Sequence, residues 1–403
     1  MKRIIYLSLP ALAVLLSGCG SVSQPAAQSV VENVLQPPQG FSQQVQKGSI
    51  WKSADEGRSF SVKSTVNEQS LIEKADILTI AFHPTKPGTI VVGSAENGIF
   101  RTENGGDSWA PIEFPPQRIY SFILDRRDPD NRMFASGIID NRGKIFRSDD
   151  GGANWMPIYT EPGVKTVISS LAQDPRNPDV LYAGTSAGTL VKSIDAGATW
   201  TNIGNSVDGV ISEIYFDPTD SRKVYLLNFK KSIRFTQDGG TTWVDWDAQK
   251  AAEIKELNAK SSALQKAGNT AEAARVRASA SDLQAKSRQN PIANKVLSLV
   301  TDGSKSGTIY AGTPSGLFRS TDYGKNWVQL NIIESAMKFP IRAIAVNPKN
   351  SNEIVFVSGN AFYRSEDAGS SWAVIPLATD RPPAVIEFDP FDSRFMFLGL
   401  RKM

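Results

Sequence analysis

The chain has 403 residues, 40% of them hydrophobic, enough for one large repeat domain with a sizeable core. Its 44 basic and 41 acidic residues leave a net charge of +3, so no global charge argues for nucleic acid or an anionic membrane surface as partner. A single Cys excludes internal disulfides, and a single His leaves a His/Cys zinc site or a His-dependent nucleophile only what His83 can supply.

Residues 1–18 read as an export signal. Lys2 and Arg3 are a basic start, and Ile4 to Leu16 is an apolar run too short for a comfortable membrane span. The run ends in Leu16-Ser17-Gly18-Cys19, which resembles the lipobox of bacterial lipoproteins. That resemblance implies that Cys19 is lipidated and becomes the mature N-terminus. With Gly20 rather than Asp after the Cys, it implies the outer membrane in preference to the inner one. Residues 19–48, rich in Gln, Ser, Pro, Ala and Val, read as a flexible tether.

From residue 49 to 403 one motif recurs seven times: Ser/Thr–x–Asp–x–Gly–x–x–Trp, starting at Ser53, Thr102, Ser148, Ser193, Thr236, Ser320 and Ser365. The spacings are 49, 46, 45, 43, 84 and 45 residues. A period in the forties with strand–turn–strand content predicts propeller blades, and the 84 is one period carrying an insertion. The carboxyl position holds Asp55, Asn104, Asp150, Asp195, Asp238, Asp322 and Asp367. The aromatic position holds Phe60, Trp109, Trp155, Trp200, Trp243, Trp327 and Trp372. Hydroxyl and carboxylate can accept turn N–H groups, Gly supplies a backbone conformation closed to other residues, and the Trp wedges between sheets.

Before each motif lies a short apolar strand ending in a polar–Pro turn, as in Leu171 to Pro175 or Ile344 to Pro348, and then a second strand such as Leu181 to Gly184. Four strands per period follow, termed A to D outward. The domain opens on a motif half (Ile50 to Gly57) with no A and B strands, and it closes on an A–B half (Ile386 to Gly399) with no motif. Joined, they make one blade, which predicts an all-β, seven-bladed propeller whose termini share a sheet and leave no open edge.

The motif resembles the Asp-box (BNR) repeat of sialidases, xyloglucanases, sortilin-type receptors and photosystem II assembly factors. The resemblance implies that ligands bind on the face opposite the Asp-boxes, built from the B–C and D–A loops, and that the motif itself is structural. Two features bear on that face. Residues 247–290 predict an inserted helical hairpin, with Ile254, Leu257 and Leu264 at helical spacing and Gly268-Asn269 as its turn. Asn269 caps a second arm that carries Val276, Ala280 and Leu283 and stops before Pro291. Six basic residues at or just before inner strands, Lys74, Arg118, Lys165, Lys295, Arg342 and Arg381, could form a positive ring at the channel mouth for carboxylates, phosphates or an acidic protein surface.

Enzyme chemistry finds less support. Phe339-Pro340-Ile341-Arg342 is not the sialidase Phe-Arg-Ile-Pro order, and glycoside hydrolysis needs two opposed carboxyl groups across a cleft. Glu161, Glu213, Glu334 and Asp380 are the ligand-side acids, with Glu213 alone on an inner strand. Asp125, Asp128 and Asp130 cluster without the glycine and closing Glu of a calcium loop. The sequence therefore points to a monomeric, lipid-anchored, non-catalytic scaffold or assembly factor for a protein partner, with no metal, cofactor or nucleic acid. A carbohydrate-binding or glycoside hydrolase propeller is the alternative.

Overall fold

A computed structural model describes residues 45–64, 72–116, 118–205, 209–229, 232–288, 292, 295–332 and 340–402. Cys19, the export signal, most of the tether, Glu334, Phe339 and Pro291 lie outside the described residues. Strands β1 (Ile50–Ser53) and β2 (Ser61–Val62) come first. Blade 1 holds β3 (Ile77–Phe82), β4 (Ile90–Ser94), β5 (Ile99–Thr102) and β6 (Ala110–Ile112). Blade 2 holds β7 (Ser121–Leu124), β8 (Met133–Ile139), β9 (Arg142–Ser148) and β10 (Met156–Val164). Blade 3 holds β11 (Ile168–Gln173), β12 (Leu181–Thr185), β13 (Thr189–Ser193) and β14 (Thr201–Asn205). Blade 4 holds β15 (Ile211–Phe216), β16 (Val224–Asn228), β17 (Ile233–Thr236) and β18 (Val244–Asp245), after which come helices α1 (Trp246–Lys266) and α2 (Thr270–Arg288). Blade 5 holds β19 (Ser298–Thr301), β20 (Ile309–Thr313), β21 (Gly316–Ser320) and β22 (Val328–Gln329). Blade 6 holds β23 (Ile341–Val346), β24 (Ile354–Ser358), β25 (Ala361–Ser365) and β26 (Ala373–Pro376), before β27 (Pro383–Phe388) and β28 (Met396–Leu400).

The seventh sheet has the order β2-β1-β28-β27, so the two ends of the domain share one blade as expected. Ile50, Trp51, Lys52 and Ser53 pair with Gly399, Leu398, Phe397 and Met396. The inner strands β3, β7, β11, β15, β19, β23 and β27 touch in succession, and β27 meets β3 to close the ring.

The core lies between blades. Tyr225, Leu227 and Phe235 of blade 4 meet Leu299, Ile309, Ala311 and Phe318 of blade 5 in one cluster. Six of the second strands are therefore buried on both faces along their whole length, which is why they read as continuous apolar runs rather than as alternation. Glycine sits in several of these runs because the neighbouring inner strand approaches closely. A Cβ on Gly184 would stand 2.5 Å from Ile211 Cγ2, and one on Gly399 2.6 Å from Ile77 Cγ2. Gly184→Ala would therefore push adjacent blades apart.

The insertion forms the hairpin. Asp245 caps α1 by accepting from the N–H groups of Asp247 and Ala248, and Asn269 Oδ1 accepts from Glu272 N at 3.4 Å. Ser261, Ala273, Val276 and Ala280 fill the seam between the arms. Its root differs from the sequence expectation, which placed it on the face opposite the Asp-boxes. Trp246 Nε1 donates to Tyr323 O at 3.0 Å and Lys250 Nζ to Lys325 O at 2.7 Å, both in the Asp-box turn of blade 5. The reason is the brevity of β18. Two residues advance the chain only about 7 Å, so it turns into α1 before crossing the sheet.

Candidate functional site

The two faces differ in what their polar groups are free to do. On the Asp-box face nearly every group is committed. In each repeat the Ser/Thr hydroxyl donates to the carboxyl position and accepts the glycine N–H, as Ser193 does with Asp195 (2.8 Å) and Gly197 (2.8 Å). Asp195 Oδ1 then accepts from Thr199 N (2.8 Å) and Oδ2 from the Thr199 hydroxyl (2.5 Å). The Thr199 and Thr242 hydroxyls and N–H groups hold the Asp195 and Asp238 carboxyls down at about 2. Asn104 keeps the geometry with Thr102 (2.8 Å) and Ser108 N (3.0 Å), while Phe60 replaces the wedge by packing edge-on against Phe362. The residue before each motif glycine also bonds back to the A–B turn of its own blade, for example Ala196 N to Asp179 O at 2.9 Å. That residue is itself left-handed, including Glu56, Ala196, Tyr323 and Ala368, which the motif did not reveal.

The wedge also holds in detail. Trp109 Nε1 donates to Lys63 O at 2.6 Å and Trp155 Nε1 to Glu113 O at 3.0 Å, each in the preceding blade. Trp200 and Trp327 turn instead to the carbonyls of Gly197 and Gly324 in their own turns. The ring N–H groups of Trp243 and Trp372 are buried with no acceptor among the described residues.

A second repeated residue closes each A–B turn. Asp125, Asp174, Asp217, Asp302, Asn347 and Asp389 are buried and accept from N–H groups two or three residues on. His83 holds the same place in blade 1. Its Nδ1 accepts from Thr85 N (3.2 Å) and Lys86 N (3.0 Å), and Nε2 lies 3.3 Å from Asp130. Burial, opposed by the Asp130 charge, keeps the ring below its ordinary pKa. The histidine is thus a turn-forming stand-in for Asp, its Nδ1 committed to the turn and its Nε2 buried against Asp130. The acidic cluster beside it is likewise consumed: Asp125 caps its turn, Asp128 holds Asn131, and Asp130 faces His83 and Lys86.

On the opposite face Lys74, Arg118, Lys165 and Lys295 stand three residues before their inner strands, Arg381 two before, and Arg342 second within its strand, and their surroundings differ. Lys74, Lys165 and Lys295 are exposed, Lys165 in the left-handed region. Arg118 is exposed and paired with Glu96 at 2.9 Å. Arg381 is buried and clasps the backbone: Nη2 reaches Glu73 O (2.9 Å), and Nη1 reaches Ala75 O (3.0 Å), Lys74 O (3.3 Å) and Asp76 Oδ1 (3.3 Å). It ties blade 7 to blade 1 and presents no charge to a ligand. Arg342 lines a cavity of about 260 Å³ with Pro340, Val357, Gly359, Asn360, Pro382 and Pro383.

The acids named from the sequence come from different blades. Glu161 is buried and accepts from Tyr159 OH at 3.0 Å, and Asp380 sits 3.7 Å from Arg381. Glu213 accepts from Leu299 N at 3.0 Å, bridging the inner strands of blades 4 and 5. Burial pushes its carboxyl up to about 8, opposed by that N–H. Glu387, on the inner strand of blade 7, is open to the channel yet ringed by protein, and the same desolvation raises it to about 7. The closing A–B half already places Glu387 on an inner strand in the sequence, but its desolvation comes from neighbours across the channel that sequence does not show.

Glu213 gives a signed expectation. A carboxyl raised in the fold is neutral there at pH 7, and the cost of ionising it grows from the unfolded value near 4.3 up to about 8. Glu213→Gln keeps an acceptor for Leu299 N–H and removes that cost. Its melting temperature should match the parent at pH 4 and exceed it at pH 9. Equal melting temperatures at both pH values would mean that the group ionises freely.

With this geometry in view, comparison with known proteins gives the following. The BNR-Asp box repeat model matches residues 317–330. Over 199 residues the chain is 28% identical to the oligoxyloglucan-reducing end-specific xyloglucanase of Emericella nidulans, covering 42% of this chain and 25% of that one. The GH74 enzyme of Niastella koreensis superposes with a TM-score of 0.58 at 18% identity, over 81% of this chain and 51% of the enzyme. The structure of YCF48 bound to D1 peptide superposes with a TM-score of 0.54 at 14% identity, over 81% of this chain and 93% of that one. The chain is a seven-bladed propeller of Asp-box repeats, and it spans a quarter to a half of the xyloglucanases it resembles.

Proposed function

We propose that this propeller is a non-catalytic protein-binding scaffold, exported and tethered through a lipidated Cys19, which receives its partner on the face opposite the Asp-boxes. The observation that carries this is the division of polar groups. Glu161, Glu213 and Asp380 are each engaged and come from different blades, Asp76 and Glu96 are taken up by Arg381 and Arg118, and the cavity on that face is lined by an arginine and no carboxylate. Glycoside hydrolysis needs a carboxylate pair spaced across one cleft. The similarity in size and fold to YCF48, whose structure holds a D1 peptide, supports a peptide or protein ligand. The second reading, a glycan-active propeller, draws on the xyloglucanase similarity.

A photo-crosslinking amino acid at Ala187 or Pro314, exposed in B–C loops of the ligand-side face, should capture a discrete partner in native membranes. The same group at Ala153 or Ser370, on Asp-box turns, should not. Capture from the Asp-box positions alone, or release of reducing sugar from xyloglucan oligosaccharides by the purified chain, would overturn the scaffold reading.

A further inference from the structure

Arg342 is the one inner-strand bulge residue that carries charge. Five inner strands slip register at their second residue, which lets that side chain leave the regular alternation. The other four bulge residues are Leu78, Ser169, Ser212 and Ala384. Arg342 is half-buried, and its Nε is sealed from water with no acceptor among the described residues. No ion pair or hydrogen bond engages its guanidinium there, whereas Arg118 and Arg381 on the same face are both partnered. The sealed Nε–H is a donor that the described residues leave unsatisfied, and the rest of the half-buried fork is open to an acceptor from outside.

The space in front of it has a matching character. Pro340, Pro382 and Pro383 present apolar rings and no N–H donors, Val357 forms the floor, and Asn360 is the only other polar side chain in the lining. About 260 Å³ is below the roughly 300–1,000 Å³ of sites that enclose drug-sized ligands, so an oligosaccharide does not fit within it. It suits one side chain. Exposed Arg401, whose N–H bonds the Pro382 carbonyl at 3.2 Å, adds positive charge next to the rim.

We propose that this cleft between blades 6 and 7 is an anchor pocket for a glutamate side chain of the partner polypeptide. The Arg342 fork takes the carboxylate, and the proline walls cover the methylenes. The inference rests on reading this face as protein-binding and names the chemistry that it selects.

The test uses the full chain and a small probe, N-acetyl-L-glutamate α-methylamide, which has a free side-chain carboxylate and a blocked backbone. The Arg342 Nε–H resonance in a proton–nitrogen spectrum, assigned by its loss in Arg342→Gln, is followed during titration. A saturable shift is expected, at least tenfold weaker with the glutamine counterpart. An equal response to both probes, or none at tens of millimolar, would falsify the pocket, and both titrations are read on the unsubstituted chain. A stronger response to N-acetylglycine would also overturn it by assigning the site to a chain-terminal carboxylate. Pocket and scaffold fail separately: crosslinking from Ala187 and Pro314 is independent of Arg342, so a silent pocket with partner capture removes only the glutamate.

Discussion

A chain ending at Thr379 should not form the propeller. The cut removes β27 and β28, the inner half of the shared blade, and leaves β1 and β2 with no sheet to join. It also strips two interblade layers. Ile386, Phe388, Met396, Leu398 and Leu400 pack with Val355, Val357 and Phe362 of blade 6, and Phe397 packs with Ile77, Ile80 and Phe100 of blade 1. Six large buried side chains, at about 1.5–3 kcal/mol each, amount to roughly 10 kcal/mol or more, as much as a typical domain's whole stability. The expected result is loss of the cooperative melting transition and aggregation by size-exclusion chromatography. Adding a peptide of residues 380–403 should restore part of the transition, because the pairing of Ile50–Ser53 with Met396–Gly399 does not require a continuous chain. A truncated chain that melts like its parent would show that the open ring is self-sufficient and that closure contributes little.

That closure was legible before any coordinates because its signal is combinatorial. A motif half without A and B strands and an A–B half without a motif can be reconciled only by sharing a sheet. Blade count and the Asp-box turn were legible for a related reason: both depend on side chains acting locally within eight residues, and seven copies make the pattern plain. What stayed hidden depends on contacts across the ring. Nothing near Arg381 distinguishes it from Arg118, which also stands just before an inner strand, two blades on, and only the partner segment 73–76, some 300 positions away, makes one a buried clasp and the other a surface ion pair. The hairpin's root was misplaced because the length of a D strand is set by tertiary packing, and β18 has two residues where β10 has nine. By residue type His83 is what a zinc site or a His-dependent nucleophile would have to use; its place in the repeat, one step before a Pro where other blades carry Asp or Asn, is the signal for its structural role.

Arg381→Ala should be the most damaging single substitution on the ligand-side face, against the sequence reading that set Arg381 beside five partner-binding residues. The side chain is 8% exposed, and its two terminal nitrogens hold the carbonyls of Glu73, Lys74 and Ala75 with the Asp76 carboxylate. These carbonyls end the 3-10 turn Ile72–Lys74, which has no helical partners of its own to offer them. Alanine leaves three carbonyls and a carboxylate facing a void, a loss of about 3–5 kcal/mol for breaking a buried charged network. Lysine restores the charge but not the planar fork, so Arg381→Lys should recover only a minor part. Arg118→Ala, which removes an exposed pair with Glu96, should change stability by less than about 1 kcal/mol. Denaturant titration of the three variants separates the two roles. A large loss for Arg381→Ala and almost none for Arg118→Ala assigns Arg381 to the seam between first and last blades. Comparable small losses would return it to the surface and to the ring of ligand-seeking charges. Under the first outcome Lys74, Lys165, Lys295 and Arg342 remain of the six as accessible positive charge, and Arg342 is the one that lines the cavity between blades 6 and 7.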